Sequence, residues 1–280
     1  MLPKWISQNR FAQRAKIRAF LNSADHYSNR RGYGDYRTQM IRQAIRTSFD
    51  HQQLRPGYGR WVDERIVEYP WLFSLLPETG GELLDAGSTL NHDDVIHHPK
   101  LRSKKMTIMT LAPESDCFWK DGISYIYGDL RKTIFRDAAF DFVVSLSVIE
   151  HIGLDNQMYD PQGISGGDRK PGTGDHLAAV RELWRVLKPG GTAYFSMPFG
   201  KHEVREWLQV FDQRMVERVI EAFEPSASEI FYYKSSAQGG WQRCRPEDAS
   251  DAKFFDVHHD APWPGCPAAS EAVVCLKMIK

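Results

Sequence analysis

The chain has 280 residues, 42% of them hydrophobic, enough for one large core or for a domain with appendages. Its 36 Lys and Arg balance its 36 Asp and Glu, which excludes an overall basic field for nucleic acid and an acidic tail. No run reaches the roughly twenty apolar residues that span a bilayer, and four cysteines without a Cys-x-x-Cys or an apolar signal segment make a reducing cytoplasm the expected setting.

Pro3 to Leu21 reads as a helix, because Phe11, Ala15 and Ala19 recur every fourth residue beside Arg10, Arg14 and Arg18. Its small apolar face favours a packed helix with a solvated basic side over one lying on a membrane. Ser28 to Asp35 is polar and carries glycine, so it reads as a loop. Tyr36 to Phe49 is helical again, and Pro56-Gly57-Tyr58-Gly59 breaks it. Trp61 to Leu76 predicts a third helix with Trp61, Arg65, Tyr69 and Phe73 in one row, kinked at Pro70. Residues 1–60 therefore read as an N-terminal helical extension to a main domain over 61–280.

After Gly80-Gly81, the short apolar strand Glu82-Leu83-Leu84 ends on Asp85 and turns at Ala86-Gly87-Ser88. Such a strand, ending in a glycine turn that opens a helix, is where α/β sheets hold nucleotide-like ligands. Gly87 has no Cβ to keep the backbone away. Asn91-His92-Asp93-Asp94 caps a short helix ending near Pro99. Further strands follow at Thr107–Leu111, at Ile123–Tyr127 and at Phe140–Ser147. The third of the four runs straight into Gly128-Asp129-Leu130, and the fourth into Val148-Ile149-Glu150-His151-Ile152. The connection from Ala112 to Gly122 is near the minimum of about ten residues for a parallel crossover, so any helix there is small. Asp175 caps a helix that turns Leu177, Val180, Trp184 and Leu187 to the sheet. Leu187-Lys188-Pro189-Gly190-Gly191 leads into a fifth strand, Thr192–Met197. Asp212 caps a further helix, and Glu229–Tyr233 and Ala272–Ile279 complete seven strands. Two connections, Gly153–Gly174 and Lys234–Ser270, exceed ordinary lengths and read as substrate-side loops. Within the second, Cys244, His258, His259 and Cys266 match no common zinc-module spacing.

The run Phe140-Asp141-Phe142-Val143-Val144 to Glu150-His151, the Leu187-Lys188-Pro189-Gly190-Gly191 turn and the order of strands together resemble the class I S-adenosylmethionine-dependent methyltransferases, especially those with a Glu-His pair after strand four. The resemblance covers about Leu76 to Phe199. Glu150-His151-Ile152-Gly153-Leu154, followed by Tyr159-Asp160-Pro161 and Gly174-Asp175-His176, is loosely similar to enzymes that tailor surface polysaccharides and sugars. The resemblance implies an α/β Rossmann-like, mostly parallel seven-stranded sheet with an antiparallel last strand inserted beside the fifth. It implies S-adenosylmethionine as cofactor, held by Asp85, Gly87, Ser88, Thr110, Asp129, Leu130 and Ser145. Tyr58, Arg60 and Arg65, from the segment before the first strand, are candidates for the methionine carboxylate.

His151 would then be the base that takes a proton near neutral pH, and Glu150 would orient it or contact the acceptor. The implied acceptor is a small molecule or glycan, methylated on a hydroxyl; a homo-oligomer is compatible with the reading. Some relatives complete a metal site with an acid three residues before the Glu; Ser147 stands there, so no metal is expected. The chain departs from the family at Thr89 and Asn91, which replace glycines, and at Thr110, which stands where an acid ends strand two, with Glu114 four places on. Those departures favour an alternative, a non-catalytic module of the same fold. A nicotinamide dehydrogenase is disfavoured, because no Gly-x-Gly-x-x-Gly follows strand one.

Overall fold

The structure is a computed structural model describing residues 4–23, 30–159, 175–255 and 270–280. Helices α1 (Lys4–Leu21) and α2 (Arg30–Ala44) pack on each other. The second begins inside the stretch that reads as a loop. Gly32 is the reason: a Cβ there would lie 2.5 Å from the Lys16 carbonyl oxygen. Glycine lets the two backbones approach, and Phe20 and Tyr36 fill the contact with rings 5.2 Å apart. Helix α3 (Arg65–Leu75) starts four residues later than its apolar row suggests, because Trp61 takes a left-handed φ of 62° in the turn before it. Pro70 lies within α3 and has no N–H for the Ile66 carbonyl. The Tyr58 hydroxyl donates to that oxygen instead, at 2.8 Å.

The chain continues through β1 (Glu82–Ala86), α4 (Asp93–Ile96), α5 (Pro99–Arg102), β2 (Lys105–Thr110), β3 (Ser124–Tyr127) and β4 (Phe140–Leu146). There follow α6 (Asp175–Val186), β5 (Leu187–Pro198), β6 (Glu203–Val204), β7 (Gln209–Val210) and α7 (Gln213–Phe223). The last elements are β8 (Ala227–Ser236), β9 (Gly240–Cys244), α8 (Pro246–Ala249) and β10 (Ala272–Ile279). The main sheet runs β3-β2-β1-β4-β5-β10-β8-β9. Strands β1 to β5 are parallel, and β10 inserts antiparallel between β5 and β8, with Val274 opposite Met197 and Tyr232. The expected seven strands are thus present in the expected order. The eighth, β9, folds back on β8 in a stretch that reads as loop, because Trp241 is wholly buried and donates its indole N–H to the Val62 carbonyl at 2.8 Å. The helix expected after Asn91 is two helices of four residues each, and the β2–β3 connection holds only a single 3-10 turn at Trp119–Asp121.

Both faces of the sheet are covered. On one, Trp71 and Leu72 of α3 pack with Tyr194, Phe231 and Trp241, and Phe20 and Ile41 join the same cluster. The N-terminal helices therefore share a core with the sheet. On the other, α6 and α7 bury Leu177, Val180, Leu183, Val216, Val219 and Phe223. Their spacing gives each helix one apolar stripe, and burying each such side chain contributes about 1.5–3 kcal/mol. Asp212 caps α7 by accepting from the Met215 N–H at 2.9 Å. The strand order reverses between β1 and β4, which leaves a crevice at their carboxyl ends.

Candidate functional site

A cavity of about 800 Å³ opens in that crevice, within the size range of small-molecule sites. Each strand end contributes: Gly87 and Ser88 after β1, Thr110 and Glu114 after β2, Asp129 and Leu130 after β3, and Ser147, Val148 and His151 after β4. Arg65 enters from α3, and Asn156, Gln157, Met158 and Tyr159 form the outer wall. Gly87 has a φ of 115°, and a Cβ there would lie 2.3 Å from Val148 Cγ2. Glycine is therefore required to bring the β1 and β4 loops together, before any ligand is considered.

Asp85 stands behind the cavity, not on it. Its carboxylate accepts from the Leu90 N–H at 2.9 Å and the Thr89 hydroxyl at 3.4 Å, closing the turn on itself. Burial lifts its pKa to about 7. The Ser88 hydroxyl is buried without a partner beside the cavity, and so is that of Ser145, which does not line it.

Thr89 and Asn91 have structural duties that glycine could not perform. The Thr89 hydroxyl donates to Asp85 Oδ1 at 3.4 Å, while its backbone carbonyl accepts from the Tyr69 hydroxyl at 2.7 Å. Asn91 donates to Glu114 Oε2 at 3.0 Å and accepts from the Tyr125 hydroxyl at 2.8 Å. Thr110 donates to Glu114 Oε1 at 3.2 Å. A carboxylate is thus delivered to the end of β2 after all, from four residues downstream. Asp129 lines the cavity but is clasped by Arg131, with Arg131 Nη2 at 2.6 Å from Oδ2. The other arm of Arg131 holds Asp175 at 2.6 Å, tying the β3 turn to the start of α6.

Two expected contacts lie elsewhere. Tyr58 is used up on the Ile66 carbonyl, and Arg60 donates to the Ala237 carbonyl at 2.8 Å with its guanidinium 4.1 Å over Trp61. Neither reaches the cavity, because both bond the turn before α3 to the helix and to the β8–β9 hairpin. Arg65 does reach it. It pairs with the wholly buried Glu68 at 2.6 Å and donates to the Leu146 carbonyl at 3.1 Å. Glu68 also accepts from the hydroxyls of Ser147 and Ser196, each at 2.6 Å. This network joins α3 to the ends of β4 and β5. Reading the sequence alone overlooks Glu68 and Ser196; nothing local marks a glutamate on a helix and a serine in a strand as partners.

His151 lies on the cavity and Glu150 beneath it. The imidazole Nδ1 is 2.9 Å from the Trp207 carbonyl oxygen, and Nε2 is 3.7 Å from Glu150 Oε1. Burial lowers the His151 pKa to about 4 and lifts that of Glu150 well above the usual carboxylate range. His151 is therefore neutral at pH 7, and burial shifts Glu150 toward its uncharged form. The near-neutral titration expected of His151 is therefore replaced by a ring that stays unprotonated into the acid range, because its side chain is only 18% exposed.

Residues 160–174 and 256–269 lie outside the described residues, and with them most of the Gly153–Gly174 connection, part of the Lys234–Ser270 connection, and His258, His259 and Cys266. Among the described residues no group of three or more His, Cys, Asp or Glu is placed to hold a metal ion. Also among them, no helix is long and apolar enough to cross a membrane.

Residues 103–195 match the family described as the methyltransferase domain. A curated relative, the small ribosomal subunit protein mS23 of Pyricularia oryzae, is 24% identical over 207 residues, 74% of this chain and 73% of its own. Two solved structures are similar over 97% of the chain. One is the 1,6-didemethyltoxoflavin-N1-methyltransferase of Burkholderia thailandensis, with bound 1,6-didemethyltoxoflavin and S-adenosylhomocysteine: 12% identity, 89% of that chain covered, TM-score 0.45. The other, from Thermotoga maritima, is described as a SAM-dependent methyltransferase and candidate histamine N-methyltransferase: 13% identity, 97% covered, TM-score 0.44.

Proposed function

We infer that this chain, a class I S-adenosylmethionine-dependent methyltransferase by its matched domain and its strand order, is an O-methyltransferase acting on a sugar, glycan or related small metabolite. The observation that carries the reading is a neutral imidazole, His151, on a cavity at the β1–β4 switch point. The residues present fit the cofactor. Glu114, positioned by Thr110 and Asn91, is the acceptor for the paired hydroxyls of a ribose. The unpartnered Ser88 hydroxyl awaits a polar group of the ligand, and Leu130 supplies an apolar wall. Asp129, although it accepts from the Arg131 N–H, Nε and Nη2, keeps about one lone pair to accept from a base amino group. Of the three candidates Tyr58, Arg60 and Arg65, Arg65 lines the cavity and is the cation for the ligand's carboxylate. When bound, S-adenosylmethionine supplies a methyl group already activated by a sulfonium.

What remains for the protein is alignment of the acceptor oxygen and removal of its proton. Asn156 and Gln157 offer hydrogen bonds to hydroxyl groups, and Tyr159 offers an apolar face. His151 takes the proton at Nε2. Burial disfavours the charged form of Glu150 beneath it. We also place the reaction in a reducing cytoplasm, a reading supported by the free thiols of Cys117, Cys244 and Cys275. The test begins with calorimetry of S-adenosylhomocysteine and continues with methyl transfer across a panel of nucleotide sugars and glycans. His151→Ala should lower turnover about a hundredfold and leave S-adenosylhomocysteine affinity unchanged. Wild-type activity should persist down to about pH 5, with its acid limb near the His151 pKa of about 4. Absence of heat with S-adenosylhomocysteine would sink the cofactor assignment; full activity in the variant would sink the base.

A further inference from the structure

Between β5 and α7 the chain makes the small hairpin β6–β7, closed by the Arg205 N–H donating to the Leu208 carbonyl at 2.8 Å. The hairpin is firmly anchored. Gly200 donates to the Phe211 carbonyl at 2.9 Å, Phe211 donates to the Pro198 carbonyl at 3.0 Å, and Gln209 meets the buried His176 ring at 3.2 Å. Two carbonyls of its tip point away from the hairpin, toward the loop after β4. Glu206 accepts from the Asp155 N–H at 2.9 Å, and Trp207 meets His151 Nδ1 at 2.9 Å. The Trp207 indole lies nearly parallel to the imidazole, 9° between planes and 5.2 Å between centroids. Behind it the Phe254 ring stands edge-on at 6.1 Å.

A carbonyl oxygen can only accept, so the hydrogen of the neutral imidazole sits on Nδ1 and the lone pair on Nε2. Ring rotation by half a turn would put Cδ2 where Nδ1 stands and Cε1 where Nε2 stands, and the bond to the carbonyl would be lost. The flat indole alone does not forbid that flip, but the carbonyl rewards one orientation and the stack holds the plane in which it is made. We propose that Trp207 is a positioning residue: its carbonyl and its indole fix His151 as the Nδ1–H tautomer with the Nε2 lone pair available for the acceptor's proton. The functional part rests on the methyltransferase reading; the tautomer itself rests on geometry alone. The titratable and charged groups around the ring are Glu150, with Oε1 3.7 Å from Nε2, Tyr159, with its ring 5.3 Å away, and, farther off, Arg65.

The test is a long-range proton–nitrogen correlation spectrum of the full chain labelled with nitrogen-15 in histidine, the His151 signals being identified by their loss in His151→Gln. The wild type should show the Nδ1–H tautomer, unprotonated at pH 7. Trp207→Ala keeps the backbone carbonyl and removes the stack, so the His151 signals should broaden or split as the ring turns away from that carbonyl, and kcat should fall at least about tenfold, while acceptor KM and S-adenosylhomocysteine affinity change less than about twofold, the pattern for a group that acts only as the proton moves. Trp207→Phe, which keeps a flat face, should restore the wild-type spectrum and most of the rate. A wild-type ring carrying its hydrogen on Nε2, or protonated at pH 7, overturns the proposal. So does a Trp207→Ala protein with wild-type spectrum and kcat. Should that variant fail to fold, the wild-type spectrum and Trp207→Phe still decide. A correct tautomer without any methyl transfer would fault the O-methyltransferase reading and leave the positioning geometry standing.

Discussion

Single residues in this protein often do something other than their sequence context suggests. Asp85 sits at the end of a strand facing the ligand crevice, yet its carboxyl is wholly buried and spends its bonds on Leu90 and Thr89. Burial raises its pKa to about 7. An unfolded Asp ionises near 3.9. Between those values the folded state holds the extra proton, so stability is fully present below about pH 4 and is lost as the pH rises toward 7. Asp85→Asn removes the titration and keeps an acceptor for the Leu90 N–H. The stability of the variant relative to wild type should therefore climb from pH 4 to pH 7 and level off above, read by urea denaturation at each pH. A flat difference would mean that Asp85 is ionised in the fold.

At the scale of elements, α3 shows how a proline is accommodated inside a helix. Its missing N–H leaves the Ile66 carbonyl open, and the Tyr58 hydroxyl closes it from the preceding turn. Leaving a buried carbonyl unpaired costs about 1–3 kcal/mol. Tyr58→Phe should lose about that much stability without weakening cofactor binding. Pro70→Ala restores an N–H four residues along, so the tyrosine should matter less in that background. The double-mutant cycle over Tyr58 and Pro70, measured by urea unfolding, should give a coupling of about 1 kcal/mol; additive effects would refute the pairing. The hairpin β6–β7 is the other element of consequence. It has two residues in each strand, too few for any periodicity to announce it.

Across the whole molecule, buried histidines set the response to acid. His151 and His176 belong to different elements, and burial lowers each to about 4. Their unfolded value is near 6.5. The unfolded chain binds more protons in between, so the stability they confer is present above about pH 6.5 and lost as the pH falls through 4. Asp85 works in the opposite sense over much of the same range, and the observed profile is the sum. His176→Gln should flatten the acid limb of melting temperature against pH between 6.5 and 4, while remaining able to meet Gln209. An unchanged limb would assign the loss to other groups.

The strands, their order and the place of the ligand crevice were legible in the sequence. Alternation and apolar runs at Leu83–Leu84, Phe142–Val144 and Val273–Leu276 are local, and parallel strands joined by short crossovers leave few topologies open. The positions of Gly87, Asp129 and His151 on the cavity followed, because each lies just past a strand whose carboxyl end was identified. Only the tertiary structure decided which side chains meet. Glu114 replaces the missing acid of β2 through Thr110 and Asn91, Arg65 reaches the cavity where Tyr58 and Arg60 do not, and Trp207 grips His151 from fifty-six residues away. The same holds for charge. A histidine and two carboxyls moved from their ordinary pKa values by burial look like any others in a string of letters, since desolvation is a property of what is packed around a group.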